Sequence, residues 1–253
     1  SDLEKFVKNG NVNFIRNKDE KAVEEIDSLL SLVKICDPAI GSGAFAVSIM
    51  NVVVKLRSYL KEKTKKKYKN TKYYFKKKFI ESSIYGVDID ESAVEITRLR
   101  LWLSLIVEVE NYNRTEPLPN LDFKIIQGNS LIETFNGFNL GSIIFSSQNE
   151  NTLENTSHKL ELEKKINKLA DLQHNFLLSV SYTKKQKIKK EIESSMISII
   201  EQIFKNNFFQ KQNIKIDQKE IEKSFSLKNK RNFFPWGIFF ADIFFKNKGF
   251  DIV

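Results

Sequence analysis

The chain has 253 residues and 41% of them are hydrophobic, which suits one hydrophobic core, is short for two full domains and excludes wholesale disorder. No apolar run approaches the roughly 18 residues of a membrane span, and the start does not read as a signal peptide. Cys36 is the only cysteine, so an internal disulfide is excluded and a cytoplasmic location is favoured.

The first candidate site lies in residues 36–45, which read CDPAIGSGAF. The five apolar residues among 29–35 predict a short buried strand that ends here, and a helix is predicted from about Ala44. Gly41 and Gly43 allow a tight turn and a close approach to a ligand, and the free N–H groups of the helix point at the same place. Asp37 could accept a hydrogen bond from an ammonium or hydroxyl group. A ligand with cationic and carboxylate ends, such as S-adenosylmethionine (SAM), would fit, although a purely structural turn is the alternative.

The charge is unevenly distributed. Residues 61–78 hold ten lysines and one glutamate, which gives +9, so the rest of the chain balances to about zero against the net charge of +9. Tyrosines and a phenylalanine between the lysines are compatible with phosphate binding. The run falls between the first helix and the next strand, where a loop or an extension of the helix is expected, and we favour a mobile, solvated loop.

A second, apolar strand that ends in acidic residues is predicted over residues 83–90, followed by a helix over 91–105 with apolar residues at helical spacing. An acid at the end of the second strand of a nucleotide-binding βαβ unit commonly holds ribose hydroxyls, and Asp88 fits this role. Ile89 would pack on the adenine ring. Asp90 is interpreted as the N-cap of the helix.

A third strand is predicted over residues 121–127, directly before Gly128 and Asn129. The amide of Asn129 offers a donor and an acceptor to the edge of an adenine ring. An asparagine in a loop turn is an equally good interpretation of this residue alone.

Residues 150–231 differ in character from the rest. Apolar residues recur at helical spacing on both sides of a break near residues 179–183, which predicts a hairpin of two long helices. We interpret it as a helical insertion that could pack on the body, position DNA or contact further domains.

The segments 35–60, 84–131 and 232–253 resemble amino-group DNA methyltransferases, above all the adenine-N6 enzymes of Eco57I-like type IIG restriction-modification systems. The resemblance implies an α/β fold, a partial Rossmann-like class I SAM-dependent methyltransferase core with a long helical insertion. The implied domains are a SAM-binding core at 1–149, the insertion at 150–231, and a return to the core at 232–253.

The resemblance also implies the site and the partners. SAM would be bound by Asp37, Pro38, Ala39, Gly41, Gly43, Phe45, Asp88, Ile89 and Asn129. Residues 248–253 resemble the strand that leads into the family's catalytic Asn-Pro-Pro-Tyr, which does not occur in the sequence and is expected after Val253. Residues 1–253 alone are therefore expected to be inactive, with no metal site. Double-stranded DNA would be bound through the full-length protein, with a recognition domain and a possible nuclease domain in the same polypeptide and no membrane partner.

Two alternatives stay open. One is another SAM-dependent enzyme that acts on RNA or protein, since the first glycine motif is widely shared. The other is a non-catalytic module for nucleotide binding or helical interaction.

Overall fold

The computed structural model describes residues 20–62, 71–109, 119–146, 156–179, 181–205, 217–226 and 229–253. The elements in chain order are α1 Glu20–Leu32, β1 Ile35–Asp37, α2 Ala44–Lys61, α3 Thr71–Ser82, β2 Ile84–Asp88, α4 Glu91–Ile106, β3 Ile125–Gln127, β4 Thr134–Phe135, β5 Phe138–Asn139, α5 Leu140–Ser146, α6 Thr156–Leu178, α7 Tyr182–Lys205, α8 Gln218–Phe225, α9 Trp236–Phe239 and α10 Ala241–Lys246. The described residues fall into two compact units. The first unit lies within Ser1–Gly86, Ser92–Ile125 and Asp251–Val253. The second unit lies within Val87–Glu91 and Ile126–Phe250.

Three strands form a sheet with the order β1-β2-β3. β1 and β2 run parallel, with Ile35 opposite Ile84. On the other side of β1, Ile252 forms a parallel bridge with Ile35, and its carbonyl accepts a hydrogen bond from the Cys36 N–H at 2.9 Å. The strands are short and largely buried, as is typical of parallel strands covered on both faces.

The core of the first unit is built from helices that place an apolar face on β1 and β2. Its buried residues include Ile35, Ile40, Met50, Val54, Phe75, Phe79, Ile84, Val94, Leu101 and Ile125. In α2 and α4 the buried positions recur at intervals of three or four, so one face of each helix is apolar.

The strand predicted from the apolar run at residues 29–35 is wrong for most of its length. Leu29 and Leu32 lie in the last turn of α1, where their exposed fractions are 65% and 64%, and β1 begins only at Ile35. The helical period of α1 turns Val23 and Leu30 towards α2 instead. Consecutive leucines carry no periodicity of their own, so the local sequence did not distinguish a helix end from a strand.

The solvated loop predicted for the lysine-rich run is also wrong for residues 71–78, which belong to α3. Residues 63–70 lie outside the described residues. Phe75 and Phe79 are buried in the core of the first unit, and this helical spacing brings Lys76 inside as well. Lys76 donates hydrogen bonds to the Glu108 carboxylate at 2.7 Å and to the Ser104 carbonyl at 3.0 Å.

The third strand is shorter than predicted, because β3 includes only Ile125–Gln127. The preceding residues form a turn, in which the Asn120 side chain accepts a hydrogen bond from the Asp122 N–H at 2.8 Å. The Leu121 carbonyl then accepts from the Ile125 N–H at 3.0 Å. A side chain that satisfies the backbone in this way competes with strand pairing.

The second unit contains the predicted pair of long helices, α6 and α7, which pack against each other. Buried apolar residues recur along both helices, including Ile166, Leu169, Phe176, Ile192 and Ile199. An aromatic cluster joins the hairpin to the rest of the unit, since the Phe135 ring lies 6.2 Å from that of Phe204 and 5.2 Å from that of Phe233. The sequence-based division at residues 149 and 231 stays a prediction.

Candidate cofactor site

The glycine turn between β1 and α2 has the backbone conformation that its sequence predicts. Gly41 has φ +54° and Gly43 has φ +76°, and residues with a Cβ rarely adopt such backbone angles. The Gly43 N–H donates to the Ile40 carbonyl at 2.9 Å, and α2 begins at the next residue. A Cβ built at Gly41 would have no neighbour nearer than 4.0 Å, so this point of the turn is open.

Two side chains of α4 form hydrogen bonds to the glycine turn, and neither was predicted as a site residue from the sequence. The buried Thr97 hydroxyl donates to the Gly41 carbonyl at 2.8 Å. One turn further on, Arg100 donates to the Ser42 hydroxyl at 3.1 Å. Their spacing of three residues puts both side chains on one face of the helix. That spacing was visible in the sequence, but nothing local indicated which element this face would meet.

Asp37 ends β1 and is half-buried. Its Oδ1 accepts a hydrogen bond from the Ala39 N–H at 3.1 Å, which orients the carboxylate at the start of the turn. Pro38 is half-buried, Ala39 is exposed, and Phe45 in the first turn of α2 is 46% exposed. The six residues predicted here thus form a turn anchored by Asp37 and bordered by an exposed aromatic ring.

In the second unit, the ends of β2 and β3 bring together the other three predicted site residues. The Gly128 N–H donates to the Asp88 carbonyl at 2.8 Å, so Asn129 follows directly beside Asp88. The Asp88 carboxylate accepts from the Asp90 N–H at 2.9 Å, and Asp90 immediately precedes α4. The Asn129 side chain accepts from the Leu131 N–H at 3.1 Å. Each polar side chain is therefore oriented by a backbone N–H two residues further on.

Large apolar side chains border these polar groups. The exposed fractions of Ile89 and Leu131 are 57% and 92%. Apolar surface next to an oriented carboxylate and an oriented amide can contact the flat face of a base, while the polar groups bind its edge or a sugar hydroxyl. The chemistry of the donor set thus fits a nucleoside.

Burial controls the chemistry of Cys36, which lies inside β1. Removal from water, with a smaller contribution from the charge of Asp37, raises the pKa of its thiol to about 12. The thiol is therefore protonated at neutral pH and is not a nucleophile there. Within the described ranges, no group of three or more His, Cys, Asp or Glu side chains could hold a metal ion. None of the helices in those ranges is long and apolar enough to span a membrane.

Comparison with known proteins identifies the family. Residues 82–253 match the family model described as Eco57I restriction-modification methylase. The chain belongs to this methylase family. Residues 14–137 also match a model described as the DNA-methyltransferase domain of MmeI. The family resemblance read from the glycine turn, the second strand and its helix is thereby confirmed.

A similar protein from Methanocaldococcus jannaschii extends this finding. It is named as a type II restriction enzyme and methyltransferase, and it is 35% identical over 150 residues. The match covers 51% of this chain and 12% of the relative, so the chain spans about an eighth of that relative's length. No solved structure gives a significant match to the methylase chain.

Proposed function

We propose that this chain is the SAM-binding part of a site-specific DNA adenine-N6 methyltransferase in a type II restriction-modification system. The observation that carries the proposal is the left-handed turn at Gly41 and Gly43 directly after the acid that ends β1. A second acid, Asp88, and an amide, Asn129, follow the next two strands of the same sheet. Membership of the methylase family supports this interpretation.

In the proposed binding mode, each group meets a part of SAM that suits its chemistry. Asp88 accepts hydrogen bonds from the ribose hydroxyls, and Ile89 packs on the adenine ring. Asn129 binds the edge of that ring. Asp37 and the turn from Gly41 to Gly43 receive the methionine end, with Pro38, Ala39 and Phe45 beside them. Bound SAM supplies an activated methyl group, and these residues hold it in place.

The proposed fold is a partial Rossmann-like class I methyltransferase core with a helical insertion at 150–231. The bridge from Ile252 to Ile35 supports it, since it adds a fourth partner to the sheet beside β1. The proposed substrate is double-stranded DNA, bound with the help of further domains of the same polypeptide, and the proposed location is the cytoplasm. The target adenine would be flipped out of the duplex, and catalysis would consist mainly of positioning a weak nucleophile.

The first experiment measures binding of SAM and S-adenosylhomocysteine by calorimetry to wild type, Asp88→Asn and Asp90→Asn. Asparagine keeps the acceptor for the Asp90 N–H and removes only the charge. We expect Asp88→Asn to weaken binding by about 1–3 kcal/mol, the range for a charge-assisted hydrogen bond. The neighbouring Asp90→Asn should bind like wild type. Equal affinity for all three proteins would exclude a charge-assisted hydrogen bond from the ribose to Asp88.

The second experiment decides among the substrate classes. A polypeptide that contains residues 1–253 and continues through an Asn-Pro-Pro-Tyr segment is incubated with radiolabelled SAM and duplex DNA, RNA or protein. We expect label in DNA, recovered as N6-methyladenine after digestion to nucleosides. Label in RNA or protein would favour the alternative enzyme class. Cofactor binding without transfer to any substrate would favour a non-catalytic module.

A further inference from the structure

The side chain of Gln127, the last residue of β3, joins two backbone segments that are distant in sequence. Its Nε2 donates to the Ile89 carbonyl at 3.0 Å and to the Arg231 carbonyl at 3.1 Å. Its Oε1 accepts from the Arg231 N–H at 2.9 Å. The three partners fix the orientation of the amide, because only the nitrogen can donate to carbonyls and only the oxygen can accept.

Both N–H groups of Gln127 are engaged by carbonyls, so this side chain has no donor left for a ligand. Its effect is on the backbone of Ile89. That residue has its carbonyl held by Gln127 while its side chain is 57% exposed. Gly128, the residue after the end of β3, donates a hydrogen bond from its N–H to the Asp88 carbonyl at 2.8 Å. Residues 127 and 128 together therefore hold Asp88, which ends β2, and Ile89, which follows it.

We propose that Gln127 is a positioning residue for the adenosine half of the bound cofactor, acting through Ile89. The proposal rests on the proposed function. An exposed isoleucine after a strand end has several accessible backbone conformations, and fixing one of them before binding reduces the entropy lost on binding. Anchoring to Arg231 makes the position of Ile89 depend on the segment that leads into α9.

The test is a double-mutant cycle with Gln127→Met and Ile89→Ala, read by the dissociation constants of adenosine and S-adenosylhomocysteine. Methionine keeps the length of the side chain and removes all three hydrogen bonds. We expect Gln127→Met to raise the dissociation constants of both ligands by about 5- to 10-fold. The factor should be the same for both, because they share the adenosine half. In the Ile89→Ala background the same substitution should change the affinity less than about 2-fold, because the effects of substitutions at coupled residues do not add.

Gln173 provides a matched control in the same unit. Its Nε2 donates to the carbonyls of Ile238 and Phe239 at 2.9 and 3.1 Å, and its Oε1 accepts from the Asp242 N–H at 3.1 Å. Gln173→Met removes the same three types of hydrogen bond from a fully internal site. It should lower the melting temperature at least as much as Gln127→Met, yet leave both dissociation constants unchanged.

Each outcome is decisive. Equal losses of affinity in Gln127→Met and Gln173→Met would overturn the positioning role and leave the proposed function intact. A loss that persists in the Ile89→Ala background would show that Gln127 does not act through Ile89. Failure of wild type to bind S-adenosylhomocysteine would refute the proposed function and this inference with it. If Gln127→Met does not fold, Gln127→Glu, which keeps the acceptor and loses both donated hydrogen bonds, is measured in the same cycle.

Discussion

Gly43 and Thr97 occupy adjoining space in the first unit, and the glycine leaves room for the threonine. A Cβ built at Gly43 would lie 2.8 Å from both Cγ2 and Oγ1 of Thr97. Thr97 is fully buried and cannot move into solvent. The absence of a side chain at Gly43 thus permits both a backbone φ of +76° and the close approach of α4 to the turn.

These two causes can be separated by a second cycle. Gly43→Ala should destabilise the protein by about 2–4 kcal/mol, since the strained backbone and the overlap with Thr97 add. In a Thr97→Ala background, Gly43→Ala should cost about 1 kcal/mol less, because the two 2.8 Å contacts are removed while the backbone strain and the 3.1 Å contact with the Cβ of residue 97 remain. Urea denaturation of the four proteins provides the free energies of unfolding. A cost that is the same in both backgrounds would contradict the role assigned to Thr97.

The Cys36 thiol gives a prediction for the dependence of stability on pH. Its pKa is raised to about 12 in the folded protein, whereas the pKa of a thiol in the unfolded chain is 9.0. Above about pH 9 the unfolded state releases a proton that the folded state keeps, so stability falls as pH rises towards 12. The difference in unfolding free energy between wild type and Cys36→Ala should therefore shrink from pH 8 to pH 10.5. A constant difference across this range would contradict the raised pKa.

At the scale of elements, α3 shows how one helix can contain both a solvated and a structural lysine. Lys72 is exposed, while the Lys76 ammonium forms an ion pair with Glu108 at 2.7 Å and is only 8% exposed as a residue. Both belong to the same lysine-rich run. Phe75 and Phe79 point into the core, and this orientation of the helix draws Lys76 inside with them.

Lys76→Met should therefore lower the free energy of unfolding by about 1–3 kcal/mol, because Glu108 and the Ser104 carbonyl lose a partner that is largely shielded from water. The control Lys72→Gln should change it by less than about 0.5 kcal/mol, as expected of a surface position. Thermal and urea denaturation measure both. A neutral Lys76→Met would contradict the stabilising role assigned to the contacts of Lys76 with Glu108 and Ser104.

At the scale of the whole molecule, the second unit is built around aromatic rings that come from separate parts of the chain. Phe225 from α8 packs edge-on against Phe135 from β4 at 5.5 Å. It also stacks with Phe239 from α9 at 6.2 Å. Over this cluster, Arg231 lies 4.5 Å above the Phe239 ring, and burial lowers the pKa of its guanidinium to about 10. Aromatic contacts of this kind contribute about 0.5–1.5 kcal/mol each beyond their buried area.

Phe225→Ala should accordingly be among the most destabilising single substitutions, at about 3–5 kcal/mol, since Phe225 is fully buried and its removal leaves a cavity. Phe45→Ala is the control, because Phe45 is 46% exposed and should cost less than about 1 kcal/mol. Equilibrium denaturation followed by circular dichroism compares the two. Similar costs for the two substitutions would show that the cluster does not hold the second unit together.

Local sequence determined the elements whose signals are short-range. The glycines at 41 and 43 specify a left-handed turn, an acid ends β2, and periodic apolar residues specify α4, α6 and α7, all of which the structure contains. The same signals were sufficient for the methylase family resemblance, because the turn and the acid are read directly from residue types. The ligand roles of Asp37, Asp88 and Asn129 stay predictions.

Only the tertiary structure decided features that depend on what a side chain meets. Leu30 near the end of α1 packs in one cluster with Leu56 of α2, and Lys76 of α3 bonds to Glu108, which lies far along the chain. The roles of Thr97 behind the glycine turn and of Gln127 behind Ile89 arise in the same way. The physical reason is that burial and hydrogen bonding between distant segments outweigh local helix and strand propensities, which are roughly a few tenths of a kcal/mol per residue.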